Sequence, residues 1–211
     1  MAIRKIALFG GTFDPIHIGH TTVAADAVVH IGADKIIFIP AKRSPLKGFS
    51  PKANDDDRFR MIALAIAGEN KFQVSDYELK KPAPSYTLET VRKFQDDYGG
   101  GTSIHCLVGA DSIDDLVYWH KIAELIDVCN LTTMYRAGCE PPNFARFEGL
   151  WGRQRIEKLQ RSVIQTSLVD ISSTDVRNRI AAGHDVADML HPAVADYIRK
   201  HGLYRLKRDG R

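Results

Sequence analysis

A chain of 211 residues is long enough for one sizeable core, and its 44% hydrophobic and 26% charged residues exclude a disordered or fibrous protein. The 29 basic against 26 acidic residues, a formal net charge of +3, are too even to argue for nucleic acid, and none is expected as a partner. Cys106, Cys129 and Cys139 are odd in number and form no C-x-x-C pair, no apolar run approaches the ~18 residues of a membrane span, and the first such run breaks at Gly10, so a cytoplasmic protein with no disulfide framework, secretory signal or membrane partner is expected.

The first predicted element is an apolar strand, Lys5 to Phe9. After it comes Gly10-Gly11-Thr12-Phe13-Asp14-Pro15-Ile16-His17-Ile18-Gly19-His20, then a helical pattern with Val23, Ala24, Ala27, Val28 and Ile31 on one face. Gly10 and Gly11 lack a Cβ, so a ligand can approach the backbone closely. The helix start offers N–H groups and partial positive charge to a phosphate. His17 and His20, one turn apart, can lean over the same anion. The plainer alternative is a tight turn with incidental surface histidines, but every position of the string fits phosphate handling. Neither G-x-G-x-x-G nor G-x-x-x-x-G-K-[ST] occurs in this turn, which argues against a dinucleotide-binding dehydrogenase or a P-loop enzyme.

Ile36 to Ile39 reads as a second strand ended by Pro40, followed by a polar loop, Ala41 to Asn54, with Lys42, Arg43, Lys47 and Lys52. Asp55-Asp56-Asp57 opens a helix where the dipole favours acid, and Phe59, Ile62, Leu64 and Ile66 supply its apolar surface. Phe72 to Val74 is a short strand. Ser85 opens a helix carrying Leu88, Val91, Phe94 and Tyr98, ended by Gly99-Gly100-Gly101. Strands follow at Ile104 to Val108, which buries Cys106, and at Leu131 to Tyr135. Residues 137 to 153 read as a loop, and Val163 to Ile171 holds the last strand. Two short helices, near Thr174 to Ala182 and Pro192 to His201, complete the chain. Such alternation predicts an α/β fold, doubly wound about a mostly parallel sheet, with a small helical C-terminal part and ligands bound past the carboxyl ends of the strands. One domain over 1–205 and a basic tail, 206–211, are expected.

Ile171-Ser172-Ser173-Thr174-Asp175-Val176-Arg177 repeats the arrangement of the first string. A strand ends, hydroxyl residues follow and a helix begins. Ser173 or Thr174 can cap that helix while its free amides meet a phosphate, and the Arg177 fork points back along the first turn. The alternative is an ordinary cap with a solvated arginine.

Together these two strings resemble the paired signatures of the nucleotidylyltransferase superfamily. From Ile6 to Tyr204 the chain is similar to the bacterial nicotinate mononucleotide adenylyltransferases. Further matches are Ser85-Tyr86-Thr87-Leu88-Glu89-Thr90, Gly109-Ala110-Asp111-Ser112, Trp119 and Tyr197 to Tyr204. The resemblance implies a Rossmann-like nucleotidylyltransferase fold and a step of NAD biosynthesis. ATP and nicotinate mononucleotide, the two small-molecule partners, would give deamido-NAD and pyrophosphate by in-line attack, without a covalent enzyme intermediate. Mg²⁺ would be bound through the ATP phosphates, with no metal site made by the protein itself. The implied catalytic residues are His17, His20 and Arg177, the imidazoles being favoured in their protonated form by the phosphate charge. ATP binding falls to Gly10, Gly11, Thr12, Phe13, Gly109, Asp111, Ser172, Ser173 and Thr174.

Mononucleotide binding falls to Lys47, Ser85, Tyr86, Thr87 and Trp119. The amides of Tyr86 and Thr87 would face the nicotinate carboxylate and Trp119 the pyridinium ring. His105 and His120 read as structural or exposed. The chain departs from the pattern at Glu89, Val176 and Ala137, and the stretch from there to Arg161 matches none. An amide-preferring or phosphopantetheine-preferring adenylyltransferase, and a non-catalytic nucleotide-binding module, are the alternatives, and a homo-oligomer is left open.

Overall fold

The computed structural model describes residues 4–43 and 50–205. Lys47 and the tail 206–211 therefore lie outside the described residues. Strand β1 (Lys5–Gly11) runs two residues further than its apolar stretch, because Gly10 and Gly11 still pair with Ile39 and Pro40 of β2 (Lys35–Pro40). Between them lies α1 (Ile18–Ile31). After β2 come α2 (Asp55–Ala65), β3 (Phe72–Val74), α3 (Thr87–Tyr98), β4 (Ser103–Gly109), α4 (Ile122–Val128), β5 (Asn130–Arg136), the short α5 (Glu148–Trp151), α6 (Arg153–Arg161), β6 (Val163–Thr166), α7 (Ser173–Ala181) and α8 (Pro192–His201).

The six strands form one sheet in the order β3-β2-β1-β4-β5-β6, every neighbouring pair parallel. This is the Rossmann-like doubly wound arrangement. The chain works outward from β1 through β2 to β3, then returns to β4 on the other side of β1. The crevice between the carboxyl ends of β1 and β4 is the switch point where such folds bind ligands.

Parallel strands covered on both faces should read as unbroken apolar runs, and Ile6-Ala7-Leu8-Phe9 and Ile36 to Ile39 are buried throughout. The pleat then divides them. Ile6, Leu8, Ile37 and Ile39 face a layer containing Leu88, Val91, Phe94, Leu125 and Ile126. Ala7, Phe9, Ile36 and Phe38 face one containing Ala24, Ala27, Met61, Ile62, Val194 and Ile198. Among the described residues no helix is long and apolar enough to cross a membrane.

The expected elements need four corrections. Residues 137–153 are not all loop: a 3₁₀ turn (Ala145–Phe147) and α5 bury Phe144, Phe147 and Trp151. Those three residues recur at helical spacing, a signal obscured by Pro141, Pro142 and the glycines. The unmatched stretch then continues as α6, whose Ile156 and Leu159 join the same core. The last strand stops at Thr166 rather than Ile171, because β5, its one neighbour among the described residues, ends at Arg136, the partner of Thr166. In α2 the buried positions are Arg58, Met61 and Ile62, while Phe59 and Leu64 are half-buried. Lastly, α3 begins at Thr87 with Tyr86 as N-cap, two residues later than the Ser85 start expected.

Candidate active site

A cavity of about 300 Å³ opens over the carboxyl ends of β1 and β2 beside β4. One wall is Gly10, Gly11 and Thr12, and the opposite wall is Ser85, Tyr86 and Thr87 with Trp119. Seven of the expected site residues thus meet around one space. Trp119 does two things there, packing partly against the core while lining the cavity. Tyr86 stacks on His120, ring centroids 4.5 Å apart, and His120 is exposed as expected. His105 is structural: it lies near the start of β4, bonded at 2.9 Å to Thr132, and burial lowers its pKa to about 4.

His17, His20, Arg177, Phe13, Gly109, Asp111 and Ser172 to Thr174 do not line that cavity. Phe13 turns its ring into the core against Phe9 and Phe38, with its backbone at φ 49°, so only its main chain is available to a ligand. That ring explains Gly11, where a Cβ would come within 2.9 Å of it. Asp111 is exposed and folds over the end of β4, where a Cβ on Gly109 would stand 2.4 Å from its carboxylate.

His17 occupies the N-cap of α1 and is buried. Its Nδ1 has no partner among the described residues, and desolvation lowers its pKa to about 4. In the ligand-free protein burial therefore favours the neutral imidazole at pH 7; the protonated form is expected only beside phosphate charge. Its ring lies 3.7 Å from that of His20, centroid to centroid. The His17 backbone N–H donates to His20 Nδ1 at 3.2 Å, so the neutral His20 ring carries its proton on Nε2. Gly19 permits the packing, since a Cβ there would press on His17 Nδ1 at 3.0 Å. The first turn of α1 offers fewer free amides than expected, because Ile18 N–H already donates to Met189 O and His20 N–H to His17 O.

The second string docks directly onto the first. Ser172, rather than Ser173 or Thr174, caps α7, accepting from the Asp175 N–H at 3.1 Å. Ser173 Oγ donates to Pro15 O at 2.9 Å, across 158 residues of sequence. Arg177 is no solvated arginine: Nη1 donates to Asp14 O at 2.7 Å and Nη2 to Thr174 Oγ1 at 3.1 Å.

Three further residues shape the site without having been singled out. Asp14 is buried and accepts from the amides of Lys52 (2.7 Å) and Ala53 (3.0 Å) and from the Tyr204 hydroxyl (2.8 Å). Burial beside that carboxylate raises the Tyr204 pKa and keeps its hydroxyl a donor. Arg58 is fully buried, with Nη1 donating to Thr12 O and Ala41 O at 2.8 Å each and Nη2 pairing with Asp55 at 2.6 Å. It fixes the ends of β1 and β2 relative to one another. Glu78 places a buried carboxyl group in the cavity wall. Asp14 stood inside the first motif and could have been found there; Arg58 was hidden in a charged helix start that reads as surface.

The fold and the docked motifs define a class of nucleotide-handling protein. A family model described as cytidylyltransferase-like matches residues 8–179, a span that includes both motifs, and the chain belongs to that family. A relative from Clostridium tetani, named probable nicotinate-nucleotide adenylyltransferase, is 36% identical over 206 residues, covering 96% of this chain and 100% of its own. One of the same name from Rhodopirellula baltica is 32% identical over 202 residues, covering 96% and 94%. Among solved structures, the nicotinic acid mononucleotide adenylyltransferase of Plasmodium falciparum in complex with NaAD has the same fold. Its TM-score is 0.71 at 18% identity, over 95% of this chain and 97% of that one.

Proposed function

We propose that the protein transfers the adenylyl group of ATP to nicotinate mononucleotide, giving deamido-NAD and pyrophosphate in NAD biosynthesis. Relatives named for this activity align over nearly their whole length, and the geometry agrees in kind. The observation that carries the reading is the docking of the second motif onto Asp14 and Pro15 of the first, whose Gly10 to Thr12 line a cavity together with Ser85 to Thr87 and Trp119. The phosphate-handling end would then adjoin the cavity that holds the acceptor end.

The reaction needs positioning and charge stabilisation more than a protein nucleophile. Arg177, with the amides of Ser173 and Thr174, would hold the outer phosphates of ATP. His17 and His20 would stabilise charge on the α-phosphoryl and leaving oxygens, His17 taking up a proton as the phosphates arrive. At the other end, the amides of Tyr86 and Thr87 at the start of α3 would receive the nicotinate carboxylate, and Trp119 would lie against the cationic ring. Asp111 is the candidate for ribose hydroxyls. Lys47 keeps its proposed role toward the mononucleotide phosphate on sequence grounds alone.

Around the phosphate end the protein presents hydroxyl and guanidinium groups suited to phosphate oxygens, beside the paired imidazoles of His17 and His20. Such a set fits Mg²⁺ that arrives on the nucleotide, ligated by phosphate oxygens and water, where it would neutralise charge on the transferring and leaving groups.

Pyrophosphate release with Mg-ATP and, in parallel, nicotinate mononucleotide, nicotinamide mononucleotide and phosphopantetheine tests the proposal. Preference for the nicotinate form supports both ends of the site. Turnover of phosphopantetheine instead would overturn the acceptor end, and no turnover of any acceptor would leave a nucleotide-binding module.

A further inference from the structure

The wall of the cavity that would receive the pyridine carboxylate contains a carboxyl group of the protein's own. Glu78 is 8% exposed and lines the cavity together with Ser85, Tyr86, Thr87 and Thr90. Its Oε1 accepts from Thr90 Oγ1 at 2.7 Å. Ser85 Oγ, also buried in that wall, faces the same carboxyl without meeting hydrogen-bond geometry to any partner. This end of the cavity therefore holds a polar group with unspent capacity next to an acid.

We propose that the Glu78 carboxyl group governs whether the acid or the amide form of a pyridine mononucleotide is accepted, an inference that rests on the acceptor proposed above. Two carboxylates in one low-dielectric cavity cannot both be ionised without a large cost. Protonated, Glu78 has an O–H to donate to a substrate carboxylate. Ionised, it repels that carboxylate and accepts from the N–H₂ of an amide. The surroundings lean toward the neutral form. Burial raises the Glu78 pKa, and Glu89 adds to the rise, against the Thr90 and Ser85 hydroxyls and Lys81. Lys81 is itself paired with Glu89, so its charge is already largely balanced. Among the described residues, the other ionisable groups lining the cavity are the Cys106 thiol, kept protonated by burial, the phenols of Tyr86 and Tyr118, and the exposed Asp115 and His120.

The test is kcat/KM for nicotinate and nicotinamide mononucleotides at saturating Mg-ATP between about pH 5.5 and 9, in the wild type and in Glu78→Gln. Glutamine keeps the size and can still accept from Thr90. Taking the ratio of the two substrates cancels every pH effect they share, including those on His17, on ATP and on their common phosphate. In the wild type the acid-to-amide ratio should fall with rising pH, approaching about tenfold per unit above the Glu78 pKa. In Glu78→Gln it should be flat. Parallel profiles in the two proteins would overturn the inference while leaving the acceptor proposal standing. No turnover of either nucleotide by the wild type would remove that proposal and this inference with it. Should Glu78→Gln not fold, Thr90→Val replaces it: losing the hydroxyl that favours the ionised form should move the midpoint of the ratio to higher pH, and an unmoved midpoint would count against Glu78.

Discussion

Asp14→Ala is the substitution with the most calculable consequence. The carboxylate accepts three hydrogen bonds, from the Lys52 and Ala53 amides and the Tyr204 hydroxyl. Bonds to an ionised acceptor contribute about 1.5–3 kcal/mol each when both partners are otherwise dry. Lys52 is exposed, so its amide recovers water and that bond counts little. Ala53 is 4% exposed, and its stranded N–H costs about 1–3 kcal/mol. Tyr204 is half-buried and loses a strong acceptor. Together these give a loss of about 2–5 kcal/mol, toward the upper end for a single substitution. Urea unfolding followed by tryptophan fluorescence reads it as a lower midpoint at unchanged slope. Tyr204→Phe alone should cost about 1–2 kcal/mol, and in the double mutant the two losses should not add, since they share one bond. A loss under about 1 kcal/mol for Asp14→Ala, or strict additivity with Tyr204→Phe, would refute the idea that this carboxylate pins the motif.

Other expectations concern chemistry and pH. His20→Ala should fold normally and lower kcat by about 10²-fold or more, the scale for losing a charge-stabilising donor; a folded variant with unchanged kcat would end its assigned role. Trp119→Ala should raise KM for the mononucleotide and leave that for ATP nearly unchanged, whereas equal rises would reduce Trp119 to packing. Stability should fall on acidification between pH 6.5 and about 4, because there the unfolded His17 and His105 bind protons that the folded ones refuse. For His17 the limit is about 3 kcal/mol, and His17→Asn should flatten that part of the urea-midpoint profile; an identical profile would show that its burial carries no such cost. Calorimetric titration with Mg-ATP near pH 7, in buffers of different ionisation enthalpy, should show proton uptake that His17→Asn removes.

What could be read from the chain was local. Glycine turn and histidines lie within eleven consecutive residues directly after a strand, so their chemistry declares itself by spacing, and Ser85 to Thr87 and Trp119 proved to share the cavity with Gly10 to Thr12. What escaped was whatever depends on distant partners. Asp14 meets residues 38, 39 and 190 positions away, and Arg58 meets Thr12 46 positions back. A buried arginine beside three aspartates carries the same local signature as a solvated one. Nor did spacing reveal that Ile18 would spend its amide on Met189, or that His17 would be dry enough to lose its charge. Phe144, Phe147 and Trp151 were at helical spacing all along, but the prolines before them speak louder to a local reading.

Ser173 and Arg177 grip the main-chain oxygens of Pro15 and Asp14, which every amino acid possesses. The contact of the second motif with the first is therefore made to the main chain, leaving the Asp14 carboxylate free for its own partners. The far wall is written entirely in side chains and a helix start, on a separate stretch of chain. On the proposed assignment, substitutions around 85–90 and 112–120 would change the acceptor while leaving the contact between the two motifs in place. Such a division lets one scaffold be repurposed by small steps, each leaving a working half behind.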